Sequence, residues 1–283
     1  MMTVCTAADL RARIREWRAR QNRIALVPTM GNLHAGHLRL VQHARASADR
    51  VVVSIFVNPM QFGPGEDFAR YPRTLEADRA ALMEADADLL FLPDLEVMYP
   101  RDLDQMTRVE VPALGDILCG AARPGHFAGV STVVAKLFNL VQPDSAVFGE
   151  KDYQQLVIIR RMVEDLNIPV SIEGITTVRE PDGLAMSSRN RYLEPGERAI
   201  APRLYQVLCE VRERLSAGER DHGAVEQAAL EALTLAGFEP DYVSIRRAAD
   251  LASPAAADQA LRVLAAARLG AMRLIDNIEI SIT

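Results

Sequence analysis

Along the first third of the chain, apolar residues change their spacing in a regular way. Between residues 7 and 20, Leu10, Ile14 and Trp17 recur every three or four positions among arginines, the period of one helix face. Residues 24–27 then run apolar without a break up to Pro28. The same alternation predicts helices over 38–48 and 75–85 and strands over 51–57 and 89–92. Farther on it predicts a helix over 130–141, a strand over 146–148 and a long helix over 153–166. Strands and helices in alternation specify a parallel sheet flanked by helices, and a run such as Val51, Val52 and Val53 suits its buried middle. After Val178 the pattern changes. A turn at Pro181, Asp182 and Gly183 leads into a polar stretch, then helices over 197–215 and 224–235, then strand-like runs at 242–245, 261–264 and 272–280. The expectation is an α/β chain: a Rossmann-like parallel-sheet domain over 1–178 and a smaller α+β domain over 179–283.

With 283 residues, 49% of them hydrophobic, the chain can bury a sizeable core. The formal charge of -6 and a sequence pI near 5.5 argue against a nucleic-acid partner, which needs a basic face. Small anions remain possible ligands of a local cationic pocket. Cys5, Cys119 and Cys209 are far apart and lack CxxC spacing, so neither a disulfide framework nor a cysteine zinc site is expected. No apolar run is long enough to cross a bilayer, and residues 1–20 are rich in arginine; the expected location is cytoplasmic, with no membrane partner.

Three clusters carry chemistry. The first predicted strand runs directly into Pro28, Thr29, Met30, Gly31, Asn32, Leu33, His34, Ala35, Gly36 and His37. A glycine-bearing turn opening a helix is expected to present free backbone N–H groups and the positive end of the helix dipole to an anion. It is neither a Walker A loop nor a GxGxxG fingerprint. Its HxGH pair can aim two imidazoles at one phosphate, although such a pair also occurs as plain helix-capping residues. Absence of HExxH argues against zinc. The second cluster, Gly149, Glu150, Lys151, Asp152 and Gln155, again follows a predicted strand, and ligands of open α/β sheets gather beyond those strand ends. The third, Met186, Ser187, Ser188, Arg189 and Asn190, offers two hydroxyls and a guanidinium, which suits a polyphosphate and equally suits a polar linker. Asn58 and Gln61, beyond another strand, are neutral polar groups where a turn more often carries Asp or Gly.

From end to end the chain resembles the pantoate-β-alanine ligase (pantothenate synthetase) family. The stretches that carry the resemblance are PTMGNLHAGH (28–37), FVNPMQFG (56–63), YPRTLEAD (71–78), RPGHFAGVSTVV (123–134), FGEKDYQQL (148–156), MSSRN (186–190), GFEPDYVSIR (237–246) and RLIDNI (273–278). The resemblance implies ATP-dependent condensation of pantoate with β-alanine through a pantoyl adenylate, releasing AMP and pyrophosphate. It also implies Mg2+, with no ligand identified, and a homodimer. It assigns ATP contacts to Met30, Gly31, Asn32, Leu33, His34, Ala35, Gly36, His37, Gly149, Glu150, Lys151, Asp152, Val178, Met186, Ser187, Ser188 and Arg189. Pantoate contacts fall to Gln61 and Gln155, with Gln61 also near β-alanine, and His37 matches the residue held to donate a proton. His34, His37, Lys151 and Arg189 are the expected catalytic set, and the smaller domain is expected to close over the ATP site.

These residue types suit the chemistry. When a carboxylate attacks the α-phosphorus of ATP, charge grows on the departing pyrophosphate, where donors and cations stabilise the transition state. Neutral amides orient the acid without quenching its attack, as an arginine clamp would. The segment Gly63, Pro64, Gly65, Glu66 and Asp67 is a candidate lid. An alternative reading is a nucleotidylyltransferase moving AMP to another small acceptor, which would be expected to surround a phosphate-bearing acceptor with Lys and Arg instead of glutamines. An aminoacyl-tRNA synthetase and a non-catalytic nucleotide binder fit less well: the chain lacks a basic appendage for tRNA and retains its charged site residues.

Overall fold

Uniformly apolar strands take the buried centre of a parallel sheet, as their sequence requires. The computed structural model describes residues 1–63 and 65–281. Two compact units divide the chain, Met1–Glu150 with Ile158–Thr176 and Lys151–Val157 with Thr177–Thr283. In the first part of the chain the order is β1 (Met2–Val4), α1 (Ala7–Ala19), β2 (Ile24–Thr29), α2 (Ala35–Ser47), β3 (Arg50–Ile55), α3 (Leu75–Glu84), β4 (Leu89–Phe91), α4 (Leu95–Met98), α5 (Cys119–Ala122), α6 (His126–Val141), β5 (Ser145–Gly149), α7 (Tyr153–Asp165) and β6 (Ser171–Ile175). The sheet runs β1-β4-β3-β2-β5-β6 and every adjacent pair is parallel.

Alternation within the strands serves both faces. Ala25, Val27, Val51, Val53 and Ile55 pack with Leu40, Val41 and Ala44 of α2 and Leu82 of α3. Their neighbours Ile24, Leu26 and Val52 are equally buried and point to the opposite face, where α6 meets β2 and α1. Two strands lie outside the sequence expectation, β1 and β6. Both are edge strands; β1 has three residues, and β6, with Glu173 and Gly174 inside it, is only partly buried. An edge needs no continuous apolar run, so the signal that marks central strands is missing there.

The second unit holds α8 (Pro195–Ile200), α9 (Arg203–Ser216), α10 (His222–Leu235) and an antiparallel sheet of β7 (Glu239–Arg247), β8 (Ala260–Leu269) and β9 (Met272–Ser281). Leu204, Val207, Leu208, Val211 and Leu215 of α9 and Val225, Ala229 and Leu233 of α10 pack with Val243, Val263, Leu274 and Ile278 of the strands. The helix expected over 197–215 is in fact two, because Pro202 cannot donate the backbone bond that would continue α8 and instead starts α9.

One glycine fixes how α6 meets the 3-10 turn at Pro59–Gln61. A Cβ on Gly129 would lie 2.2 Å from the Met60 carbonyl oxygen and 2.7 Å from the Gln61 nitrogen, both backbone atoms. Gly129→Ala is therefore expected to destabilise the fold by about 1–3 kcal/mol through overpacking. Gly196, with nothing near its would-be Cβ, serves as the control. Urea unfolding midpoints of the two variants check this; equal midpoints would refute the tight contact.

Candidate active site

The strand order places a switch point between β2 and β5. From β2 the chain builds outward through β3 and β4, then returns to add β5 on the other side of β2. Ligands of open parallel sheets bind beyond the carboxyl ends of strands at such a point. The β2–β5 ladder has only two registered pairs, Ala25 with Ser145 and Leu26 with Ala146. Beyond them β2 continues alongside β3, and β5 alongside β6. The Met30–His37 turn leaves β2 there, and Gly149 and Glu150 end β5 there, so two sequence clusters 112 residues apart emerge from adjacent strands.

The turn after β2 is locked differently from the expectation. Gly31 and Asn32 have φ of +80° and +51°. The Gly31 N–H donates to Thr29 Oγ1 at 3.2 Å, while the Asn32 and Leu33 N–H groups donate to the two oxygens of Asp78 at 2.8 Å each. Asp78 is 3% exposed and also accepts from Thr74 Oγ1 at 3.1 Å. The expected free backbone N–H groups are thus bound to the protein itself, because buried donors require acceptors and α3 brings a carboxylate to them.

The imidazoles cap α2. Gly36 N–H donates to His34 Nδ1 at 3.1 Å, and His34 N–H donates to His37 Nδ1 at 3.3 Å. A ring nitrogen that accepts from a backbone N–H carries no proton, so each ring has its proton on Nε2. The two rings lie 4.1 Å apart between centroids. Helix capping and phosphate recognition, alternatives in the sequence, are compatible: Nδ1 serves the cap and Nε2–H is a donor facing away from it.

Gln61 is set by a second network. Asn58, 1% exposed, donates to Gln61 Oε1 at 3.1 Å and to the Gly129 carbonyl at 3.0 Å, and accepts from Tyr99 Oη at 2.8 Å and Met60 N–H at 3.2 Å. Burial pushes the Tyr99 phenol well above its usual range, which keeps it a donor. Gln61 Nε2 is thereby turned to Met30 Sδ at 2.9 Å. Thioether sulfur is a weak acceptor, so this N–H can pass to a carboxylate or hydroxyl oxygen at small cost. The Gln61 carbonyl accepts from His126 Nδ1 at 2.7 Å and from Arg123 Nη2 at 3.1 Å. Arg123 also pairs with Glu66, whose carboxyl it holds below the usual range, its side-chain hydrogen bonds being the largest cause. In the candidate lid, Glu66 is tied down by this pair, and Pro64 lies outside the described residues.

The remaining expected residues belong to the second unit. Met186 N–H donates to the Val178 carbonyl at 3.0 Å, next to an antiparallel bridge between Arg179 and Ala185, so this loop returns on itself. Arg189 N–H donates to Ser187 Oγ at 3.3 Å, and Asn190 Nδ2 anchors the loop to Glu180 and the Ala185 carbonyl. Arg179 makes a two-pronged pair with Asp276, at 2.6 and 2.9 Å, and stacks on Tyr205 at 3.7 Å. Burial pushes the Asp276 carboxyl up against the pull of Arg179. Lys151 and Asp152 precede the first turn of α7, which carries Gln155.

The family model for pantoate-beta-alanine ligase matches residues 2–279. The chain belongs to the pantoate-β-alanine ligase family. Relatives include the pantothenate synthetases of Azotobacter vinelandii, 56% identical over all of both chains, and Thioalkalivibrio sulfidiphilus, 59% identical over all of this chain and 99% of the other. Among solved structures, pantothenate synthetase from Thermus thermophilus superimposes with a TM-score of 0.92 at 50% identity, over 98% of this chain and 99% of that one. The ligase from Francisella tularensis, complexed with beta-gamma ATP and beta-alanine, does so at 0.83 and 34%, over 98% and 97%.

Of the supporting residues, Asn58 stands out in the sequence as a neutral polar group beside Gln61, whereas Asp78 and Tyr99 give no such signal. Asp78, Asn58, Arg123 and His126 sit in the quoted motifs and Tyr99 lies outside them, and for all five the hydrogen-bond partners emerge only from the fold. Asp78→Asn exchanges one acceptor oxygen for an NH2 group facing a backbone donor, which is expected to cost about 1–3 kcal/mol. Hydrogen exchange at the Asn32 and Leu33 amides should accelerate; unchanged protection of both would show that the carboxylate does not hold the turn.

Proposed function

We propose that this chain joins pantoate to β-alanine at the expense of ATP, through a pantoyl adenylate, with release of pyrophosphate and then AMP. The observation that carries the reading is the family match over residues 2–279 in a chain whose HxGH turn and Gly149–Glu150 end emerge from adjacent strands. Nucleotide contacts are proposed for both sets of residues: Met30 to His37, Gly149 and Glu150 from the first, and Lys151, Asp152, Val178 and Met186 to Arg189 from the second. Pantoate is proposed to be held by Gln61 and Gln155, and the nucleotidylyltransferase alternative loses ground to their neutrality.

The chemistry follows from the groups present. Pantoate's carboxylate oxygen attacks the α-phosphorus, the bond to the bridging oxygen breaks, and pyrophosphate carries the charge away. His34 and His37 meet that growing charge with Nε2–H hydrogen bonds, while Lys151 and Arg189 supply positive charge and Ser187 and Ser188 supply hydroxyl donors. We assign His37 a hydrogen bond in preference to the full proton transfer implied by the family's pattern. An imidazolium would need a proton on Nδ1, which already accepts from the His34 N–H. Gln61, its carbonyl end occupied by Asn58, turns an N–H to the acid and leaves the carboxylate nucleophilic. In the second step the unprotonated β-alanine amine attacks the acyl carbon, the bond from that carbon to the AMP oxygen breaks, and the proton lost from nitrogen passes to a base or water as AMP leaves.

Among the described residues no group of three or more His, Cys, Asp or Glu side chains is arranged to hold a metal ion. A resident cage does not fit, and magnesium is proposed to enter as MgATP, held through phosphate oxygens. A homodimer and a cytoplasmic location complete the proposal. Among the described residues no helix is long and apolar enough to cross a membrane.

Omitting ATP, pantoate and β-alanine in turn tests the reading. Pyrophosphate should require ATP and pantoate, and AMP release on each turnover should require β-alanine as well; pyrophosphate release without pantoate would overturn it. His37→Ala is expected to slow single-turnover adenylation by about 10²–10³ while pantoate affinity stays unchanged. Near-normal adenylation would remove the imidazole from the reaction.

A further inference from the structure

Asp276 and Asn277, adjacent on β9, point to opposite faces of the antiparallel sheet. Asp276 shares its face with Leu274, Ile278 and Ile280 of the core and binds Arg179. Asn277, 3% exposed, lies on the other face, opposite Leu264 of β8. Its Nδ2 donates to the main-chain carbonyl of Lys151 at 2.9 Å, and its Oδ1 accepts from Arg262 Nη1 at 2.6 Å. Arg262, 4% exposed, stacks on the Tyr153 ring at 3.7 Å, and Tyr153 Oη donates to the Ala248 carbonyl at 3.0 Å. The segment that starts at Lys151 is therefore gripped at residue 151 by an amide and at residue 153 by a guanidinium. Both gripping groups come from strands more than a hundred residues later in the chain.

We propose that Asn277, braced by Arg262, is a positioning residue for Lys151. The physical reason lies in the choice of a carboxamide. It must donate at one end and accept at the other, and an amide does both without carrying charge. A carboxylate would satisfy Arg262 but face the Lys151 carbonyl with a second acceptor. The clamp acts on the backbone, leaving the Lys151 ammonium to the phosphates, and it fixes where the long, flexible side chain starts. Misplacement of a reacting or stabilising group by about 1 Å can cost a hundredfold in rate. The proposal rests on the reading of Lys151 as a phosphate contact.

The test is a double-mutant cycle between Asn277→Asp and Lys151→Ala, read by single-turnover adenylation and by the KM for MgATP. Asn277→Asp keeps the Arg262 contact and loses the donor to residue 151. Alone, it should slow adenylation by about ten- to a hundredfold with a much smaller change in KM, and in the Lys151→Ala background it should slow it no further. Additive losses in rate, or an Asn277→Asp enzyme as fast as the parent, would overturn the positioning role. If Lys151→Ala itself adenylates normally, the reading of Lys151 fails and the clamp has no catalytic consequence, a result distinct from a slow Lys151→Ala beside a normal Asn277→Asp. Should Asn277→Asp not fold, Asn277→Ala is read in the same cycle with the same criteria.

Discussion

One buried carboxylate governs the turn between β2 and α2. A glycine turn that opens a helix is electrostatically a place for an anion, and in this chain Asp78 fills it permanently, one oxygen for each of two backbone N–H groups. The turn is thereby held by the protein's own hydrogen bonds. The imidazoles standing on this turn have their δ nitrogens occupied by the helix cap, so the phosphate recognition proposed for the turn falls to side chains. A loop with empty N–H groups would bind an anion more tightly in the ground state. Side-chain donors on a rigid base can instead be aimed at the oxygens on which charge develops, which is where rate is gained.

The same economy of charge recurs. Gln61 is oriented by Asn58, which is itself saturated by Tyr99, Met60 and Gly129, so the Gln61 amide has a defined donor end. Asn277 holds the Lys151 backbone in a similar way. Neutral groups set positions, which leaves the charged side chains for the phosphate contacts proposed above. Among the described residues the buried charges each have a partner: Asp276 pairs with Arg179, Arg262 lies over Tyr153, and Asp78 is met by two backbone N–H groups and a hydroxyl. An unpaired buried charge would cost far more than an amide.

Much of this was legible beforehand, and the failures have physical causes. Central strands announce themselves because both faces are buried, which is why strands were found at 24–27, 51–57 and 146–148, the second expected two residues beyond its observed end at Ile55, while the edge strands β1 and β6 carry no such run. The HxGH pair, the Gly149 cluster and the serine loop are recognisable from residue type and position after a strand or turn. What holds them is not: Asp78 lies 46 residues from Asn32, and Asn277 lies 126 residues from Lys151. Contacts at that separation leave no local pattern. The expectation of free N–H groups in the turn failed for the same reason, since nothing near residue 31 reveals that α3 supplies an acceptor.

The tautomers of His34 and His37 test the central claim most directly. With the protein labelled by 15N at histidine, the spectra of both rings are predicted to show an unprotonated Nδ1 and a protonated Nε2 at the pH of catalysis. A proton on Nδ1 of either ring, as the opposite tautomer or as imidazolium, would contradict the account, because a protonated δ nitrogen cannot accept from the helix cap.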